Sequence, residues 1–174
     1  GFFYDESLTR AQDYDLWTRL QSRYELANLG FAGVRYRLHA ANRDRDSLKS
    51  KFSFARRSRS RALENLGIPL SASHFATLCD LPLYINGLEN VDRERLLNFE
   101  DLFYALLQQA EGVDMSQAQR EYLAQHLSWT WFRLCCKAAN HGVDISGIYG
   151  GSDIFSRNTR KCILYVLCML KKAR

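Results

Sequence analysis

From Asp92 or Arg93 to Glu111 an apolar residue recurs every three or four positions, and the whole 174-residue chain holds only two prolines. That period places the apolar side chains on one face of a helix, and sparse breakers let the helices run long. Asp46 to Leu66 is predicted to form a long basic helix ended by Gly67 and Pro69. Ala72 to Cys79 is predicted to be a short helix ended before Pro82. From Asp92 or Arg93 to Glu111, Leu96, Leu97, Phe99, Phe103, Leu106 and Leu107 form a stripe that stops at Gly112. Ser116 to Asn140, with Tyr122, Leu123, Leu127, Trp129, Trp131 and Phe132, makes the longest helix and stops near Gly142. Residues 145–155 contain Gly147, Gly150 and Gly151 and read as a loop or single turn. Asn158 to Lys172 closes the chain as a helix, although Ile163-Leu164-Tyr165-Val166 in isolation also fits a strand. The long helices are expected to bury Phe103, Leu107, Leu127, Trp131 and Ile163 together.

The first 45 residues have a different character. Gly1 to Thr9 reads as an extended loop, and Arg10 to Tyr24 as a helix with Leu16, Trp17, Leu20 and Tyr24 at helical spacing. Glu25 to Asn28 and Val34 to Leu38 read as two short strands separated by Gly30 and Gly33. On the second strand Arg35, Arg37 and His39 share one side, with Tyr36 and Leu38 on the other. The predicted fold class is therefore mainly α, a bundle-like helical region preceded by a short two-stranded β element. The two parts meet near Asn42 to Ser47, dividing the chain into residues 1–45 and 46–174.

The net charge of +5 is concentrated. From Asn42 to Arg61, Arg43, Arg45, Lys49, Lys51, Arg56, Arg57, Arg59 and Arg61 face only Asp44 and Asp46 in sequence, and residues 157–174 hold six basic residues and no acid. Such patches attract anions: a nucleotide diphosphate, an anionic lipid surface or nucleic acid. The simpler alternative is a solvated helical face. The five cysteines show no C-x-x-C spacing, and His39, His74, His126 and His141 are scattered, which disfavours a structural zinc site. Cys135, Cys136, Cys162 and Cys168 sit in apolar runs and read as buried, reduced thiols of a cytoplasmic protein. The longest apolar run, Cys162 to Leu170, has nine residues, whereas a membrane-spanning helix needs about 20.

Three pieces of the amino-terminal segment form a pattern: Phe3-Tyr4-Asp5-Glu6, then Ala11-Gln12-Asp13-Tyr14-Asp15-Leu16-Trp17, then Arg35-Tyr36-Arg37-Leu38-His39. This pattern resembles the closing part of the catalytic domain of glycosyltransferase family 2, which are inverting, nucleotide-sugar-dependent enzymes of GT-A fold. Their segment reads roughly F-D-E-x-L, then E-D-Y-D-L-W-x-R-L, then L-x-Y-R-x-H. The resemblance covers about residues 1 to 45. The chain starts at Gly1 with no strand-rich half before it, so the expectation is the end of a larger enzyme, cut inside its catalytic domain.

Inverting glycosyl transfer is a displacement at the anomeric carbon. It requires a carboxylate to deprotonate the acceptor hydroxyl, and a metal or cationic groups around the leaving diphosphate. The resemblance implies that Asp13, the second acid of the family's E-D pair, is that base. Gln12 stands where the first acid is commoner. A carboxylate in a first helical turn is stabilised by the helix dipole, but a plain helix cap has the same appearance. Asp15, two residues on, points away from Asp13, and Leu16 and Trp17 read as packing. His39 is implied to approach the metal or donor diphosphate; Arg37 and Arg35 beside it pair either with that phosphate or with acids nearby, and Asp5 and Glu6 lie in the acceptor vicinity or shape the loop. The family's metal-binding D-x-D belongs upstream. Asp13-Tyr14-Asp15 satisfies its letters but falls on the E-D-Y-D-L-W helix, so the main metal ligands are expected outside this chain.

The resemblance further implies a divalent metal, Mg or Mn, in the intact parent and no cofactor in this segment alone. The partners are a nucleotide-sugar donor and a glycan or lipid-linked acceptor, in surface polysaccharide or lipopolysaccharide synthesis, at the inner membrane face. No Q-x-x-R-W motif follows the helix, which points to a non-processive enzyme. The competing reading is a non-catalytic helical module that docks on a partner protein or an anionic membrane surface. Nucleic acid is disfavoured, because no helix-turn-helix or aromatic platform accompanies the Arg56 to Arg61 cluster.

Overall fold

The computed structural model describes residues 2–35, 37 and 45–149. Their order is α1 (Gln12–Leu20), α2 (Arg45–Leu66), α3 (Ala72–Ile85), α4 (Arg93–Glu111), α5 (Gln117–Asn140) and the single turn α6 (Ser146–Tyr149). The protein is mainly helical, and there is no strand among the described residues. Two compact units result, Gly1–Pro69 and Leu70–Arg174, so α2 packs with the amino-terminal segment. His39, Cys162, Cys168, Ile163, the closing helix and the second basic patch lie outside the described residues.

In the first unit α1 is shorter than the periodicity suggested. Ala11 takes a left-handed conformation (φ 56), which excludes Arg10 from the helix. At the other end the Leu20 carbonyl accepts the amides of both Arg23 and Tyr24, tightening the last residues into a turn. The two expected strands also fail where they are described. Residues 25–28, 34, 35 and 37 are coil, and Leu26, Leu29, Phe31 and Val34 are exposed. A strand is defined by its ladder partner, and no such partner is present among the described residues. Tyr36 and Leu38 lie outside the described residues.

α2 ends as its sequence indicates. Gly67 adopts φ 66, its amide reaches the Glu64 carbonyl, and the Ile68 amide reaches that of Leu63. This is the paired closure that a left-handed residue permits, and glycine takes it without a side-chain clash. α2 lies along α1, and its inward positions are Ala55, Ser58, Arg61 and Asn65. Small and polar residues, rather than an apolar stripe, make this contact.

The second unit is an aromatic core built by α3, α4 and α5. α3 does not stop before Pro82 but runs through it to Ile85. Proline takes its own amide out of the ladder and its ring crowds the carbonyl of Leu78, four residues back. Beyond it the helix end is closed by Asn86, whose amide and side chain both donate to the Pro82 carbonyl. Packing also retains this turn, as the Tyr84 ring meets Phe99 edge-on at 5.3 Å between centroids. α4 starts at Asp92, whose carboxylate accepts the Arg95 amide at 2.7 Å. Its buried stripe is Leu96, Phe99, Leu102, Phe103, Leu106 and Ala110, which leaves Leu97 exposed and Leu107 half-buried. α5 opens with a capping box between Ser116 and Gln119. Its buried stretch begins only at Leu127, and Tyr122 is exposed.

Phe99, Phe103 and Trp131 form a chain of ring contacts, the last edge-on at 6.4 Å. Cys135, one turn further along α5, is buried beside this cluster, and burial pushes its thiol pKa up to about 12. No helix among the described residues is long and apolar enough to cross a membrane.

Trp131→Ala is expected to lower unfolding stability by about 3–5 kcal/mol in denaturant titration, because it empties the centre of this core. Native Cys135 is expected to react with a thiol reagent at neutral pH only as fast as the unit opens, since the thiolate is the reactive form. Labelling as fast as in denaturant would show the thiol to be accessible.

Candidate functional site

The two acids of Asp13-Tyr14-Asp15 have opposite fates, because two residues on a helix turn a side chain by about 200°. Asp15 is completely buried (0% exposed). Its Oδ2 accepts Arg19 Nε at 2.9 Å, its Oδ1 accepts Arg61 Nη1 at 2.7 Å, and the Ser58 hydroxyl donates to Oδ1 at 3.5 Å. Arg19 is one turn along the same helix, whereas Arg61 and Ser58 come from α2. The carboxylate thus joins the two helices and satisfies the acceptor capacity that burial would otherwise leave unpaired. Beside it Thr18 is also buried, and its carbonyl accepts Asn65 Nδ2 at 3.1 Å.

Asp13 is on the other side, exposed, with Oδ1 accepting the Tyr14 amide at 2.8 Å. Trp17 is 53% exposed, which corrects its reading as a packing residue; Leu16 is half-buried. The reason is the register of α1: its buried face is Ala11, Asp15 and Thr18, and Trp17 is two positions off that line.

Asp5 carries a second ion pair. Its carboxylate accepts the amide of Ser7 at 3.0 Å, the hydroxyl of the same residue, and Arg57 Nη1 at 3.1 Å. The Ser7 hydroxyl, then its amide, and then the Arg57 charge hold Asp5 below the usual aspartate range. Arg19 Nη2 also donates to the Phe3 carbonyl at 2.6 Å, which pins the amino-terminal segment against α1. These contacts border an open hollow of about 250 Å³ lined by Phe3, Tyr4, Asp5, Arg19, Arg57 and Arg61.

Of the residues singled out from sequence, the structure brings Asp5 to this hollow. Glu6, Arg35 and Arg37 are exposed and do not line it, and His39 lies outside the described residues. Among the described residues no three of His, Cys, Asp or Glu converge, so the divalent cation implied by the resemblance finds no ligand set there. Sequence reasoning set Asp15 aside, read Arg61 only as part of the basic patch, and passed over Arg19 and Ser58. Their signal is the i, i+3, i+7 spacing of Ser58, Arg61 and Asn65 on a helix read only as basic. Comparison with known families, curated proteins and solved structures finds no match.

Asp15→Ala is expected to destabilise the first unit by about 2–4 kcal/mol, since it leaves two guanidiniums facing an unpaired interior but able to turn partly to water. Asp13→Ala should stay within about 0.5 kcal/mol of the parent, as for other exposed substitutions. Equal losses in thermal denaturation would contradict the division of roles between the two acids.

Proposed function

We propose that this chain is the closing part of a nucleotide-sugar-dependent inverting glycosyltransferase, with Asp13 as the base that deprotonates the acceptor. The observation that carries the reading is the separation of the two acids within the motif that resembles E-D-Y-D-L-W. Asp15 is buried under two arginines, so only Asp13 is presented for chemistry. As the acceptor oxygen attacks the anomeric carbon, Asp13 takes its proton and the sugar leaves the nucleoside diphosphate with inversion. The ion pairs of Asp15 make α1 a rigid support, which a positioned base requires.

The exposed apolar side chains of Leu26, Leu29, Phe31 and Val34 favour the same reading. Coil with unburied apolar groups suits a segment that completes the sheet of a larger catalytic domain. On this reading the nucleotide-binding strands and the metal ligands are contributed by that larger domain, and Arg35, Arg37 and His39 lie near the donor diphosphate. The enzyme adds one sugar to a surface glycan or lipid-linked acceptor from the cytoplasmic side.

The docking alternative rests on the basic face of α2. Two of its arginines, Arg57 and Arg61, are engaged by Asp5 and Asp15, which leaves less unpaired charge for a membrane than the sequence suggests.

In the full-length enzyme, Asp13→Asn keeps size and hydrogen bonding but removes basicity. Turnover of nucleotide-sugar is expected to fall by about 10²–10⁴ with donor affinity unchanged. Turnover near that of the parent would remove Asp13 as the base.

A further inference from the structure

The hollow in the first unit has a wall chemistry that its ion pairs do not exhaust. Three guanidiniums, from Arg19, Arg57 and Arg61, line it with one carboxylate, Asp5. The acid that holds two of those arginines, Asp15, is fully buried and does not line the hollow. Even with Asp15 included, three positive charges face two negative ones and leave a net charge of +1 around a small open hollow.

We propose that this hollow binds a phosphate group. A guanidinium has five N–H donors in a planar fork, whereas Arg61 and Arg57 spend Nη1 on Asp15 and Asp5 respectively. Arg57 and Arg61 are one turn apart on α2, so their forks lie on the same side of that helix. Asp15 and Asp5 hold these side chains in place before any ligand arrives, which reduces the ordering cost of binding. A phosphate monoester carries close to two negative charges and three acceptor oxygens, and so matches two or more guanidiniums at once. A carboxylate ligand would only repeat what Asp5 already supplies.

At about 250 Å³ the hollow lies below the usual range for a whole small-molecule pocket, so it takes the phosphate and leaves the organic part outside. Phe3 and Tyr4, 79% and 57% exposed, form an apolar rim for that part. The shared chemistry is a terminal phosphate, carried either by a free phosphomonoester or by a lipid headgroup. The inference does not rest on the glycosyltransferase reading, since neither Asp13 nor any sugar chemistry enters it.

The test uses the 174-residue chain at constant ionic strength. Inorganic phosphate is titrated in and followed by calorimetry, with acetate as the reference anion. In parallel the chain is pelleted with phosphatidylcholine vesicles with and without phosphatidic acid. Arg57→Gln is the informative variant: the side chain is 55% exposed and is not part of the buried Asp15 cluster. Lys51→Gln, an exposed residue of α2 that does not line the hollow, removes the same charge elsewhere.

Saturable phosphate binding that acetate does not reproduce is expected. Arg57→Gln should weaken it about tenfold or more, the worth of a charge-assisted contact, and Lys51→Gln should leave it unchanged. Arg57→Lys, which keeps the charge but loses the fork, should weaken it as well. Pelleting that depends on both phosphatidic acid and Arg57 would identify the headgroup as the source, and binding of soluble phosphate alone would identify a free phosphomonoester. The proposal fails if neither phosphate nor phosphatidic acid is bound, or if Arg57→Gln and Lys51→Gln weaken binding equally.

Discussion

A single carboxylate without access to water organises the first unit. Asp15 is tolerable in that position only because Arg19 and Arg61 approach it within 3 Å and Ser58 adds a hydroxyl. A buried charge of this kind adds little net stability over a well-packed apolar contact, because desolvation cancels most of the attraction. It does impose geometry. Asp15 meets its partners at one register of α1 against α2, so the ion pair specifies how the two helices align. From that alignment follow the outward position of Asp13, the exposure of Trp17 and the inward turn of Arg61.

The second unit is held by a different force. Leu96, Phe99, Leu102, Phe103, Trp131 and Leu134 are removed from water almost completely, and the aromatic rings meet edge-on or stacked. Here burial of apolar area supplies the stabilisation, and the polar groups act at helix ends through Asp92, Ser116 and Gln119. The two units thus show two ways of fixing helix register, one by paired charge and the other by ring packing.

The candidate site depends on the first of these. An exposed base is useful only on a support that does not rotate, and α1 is tied by Arg19 to the Phe3 carbonyl and by Asp15 to α2. The same arginines line the hollow beside Asp5. One set of ion pairs therefore orients the acid proposed for catalysis and prepares the cationic wall proposed to receive a phosphate.

Helix α4 shows what was legible in the sequence. Its apolar period and Gly112 mark a helix from Asp92 or Arg93 to Glu111, and the structure has Arg93–Glu111 with Asp92 as its cap. The motif around Asp13 could likewise be read from residue order alone. Local preferences and hydrophobic period are properties of neighbouring residues, so they survive without the fold. Other features needed the fold. Leu97 shares the apolar character of Leu96 yet stays exposed, because only contact with α3 and α5 defines which edge of a stripe is inside. α3 continues through Pro82 because packing of Tyr84 on Phe99 outweighs a local breaker. Glu25 to Asn28 has no partner strand among the described residues, and pairing is a property of two segments rather than one. The role of Asp15 was the least legible of all, since its meaning depends on Arg61, 46 residues away in sequence. Residue order determined the helices and the chemical pattern on α1; which of its two acids faces water was decided only when α2 folded against it.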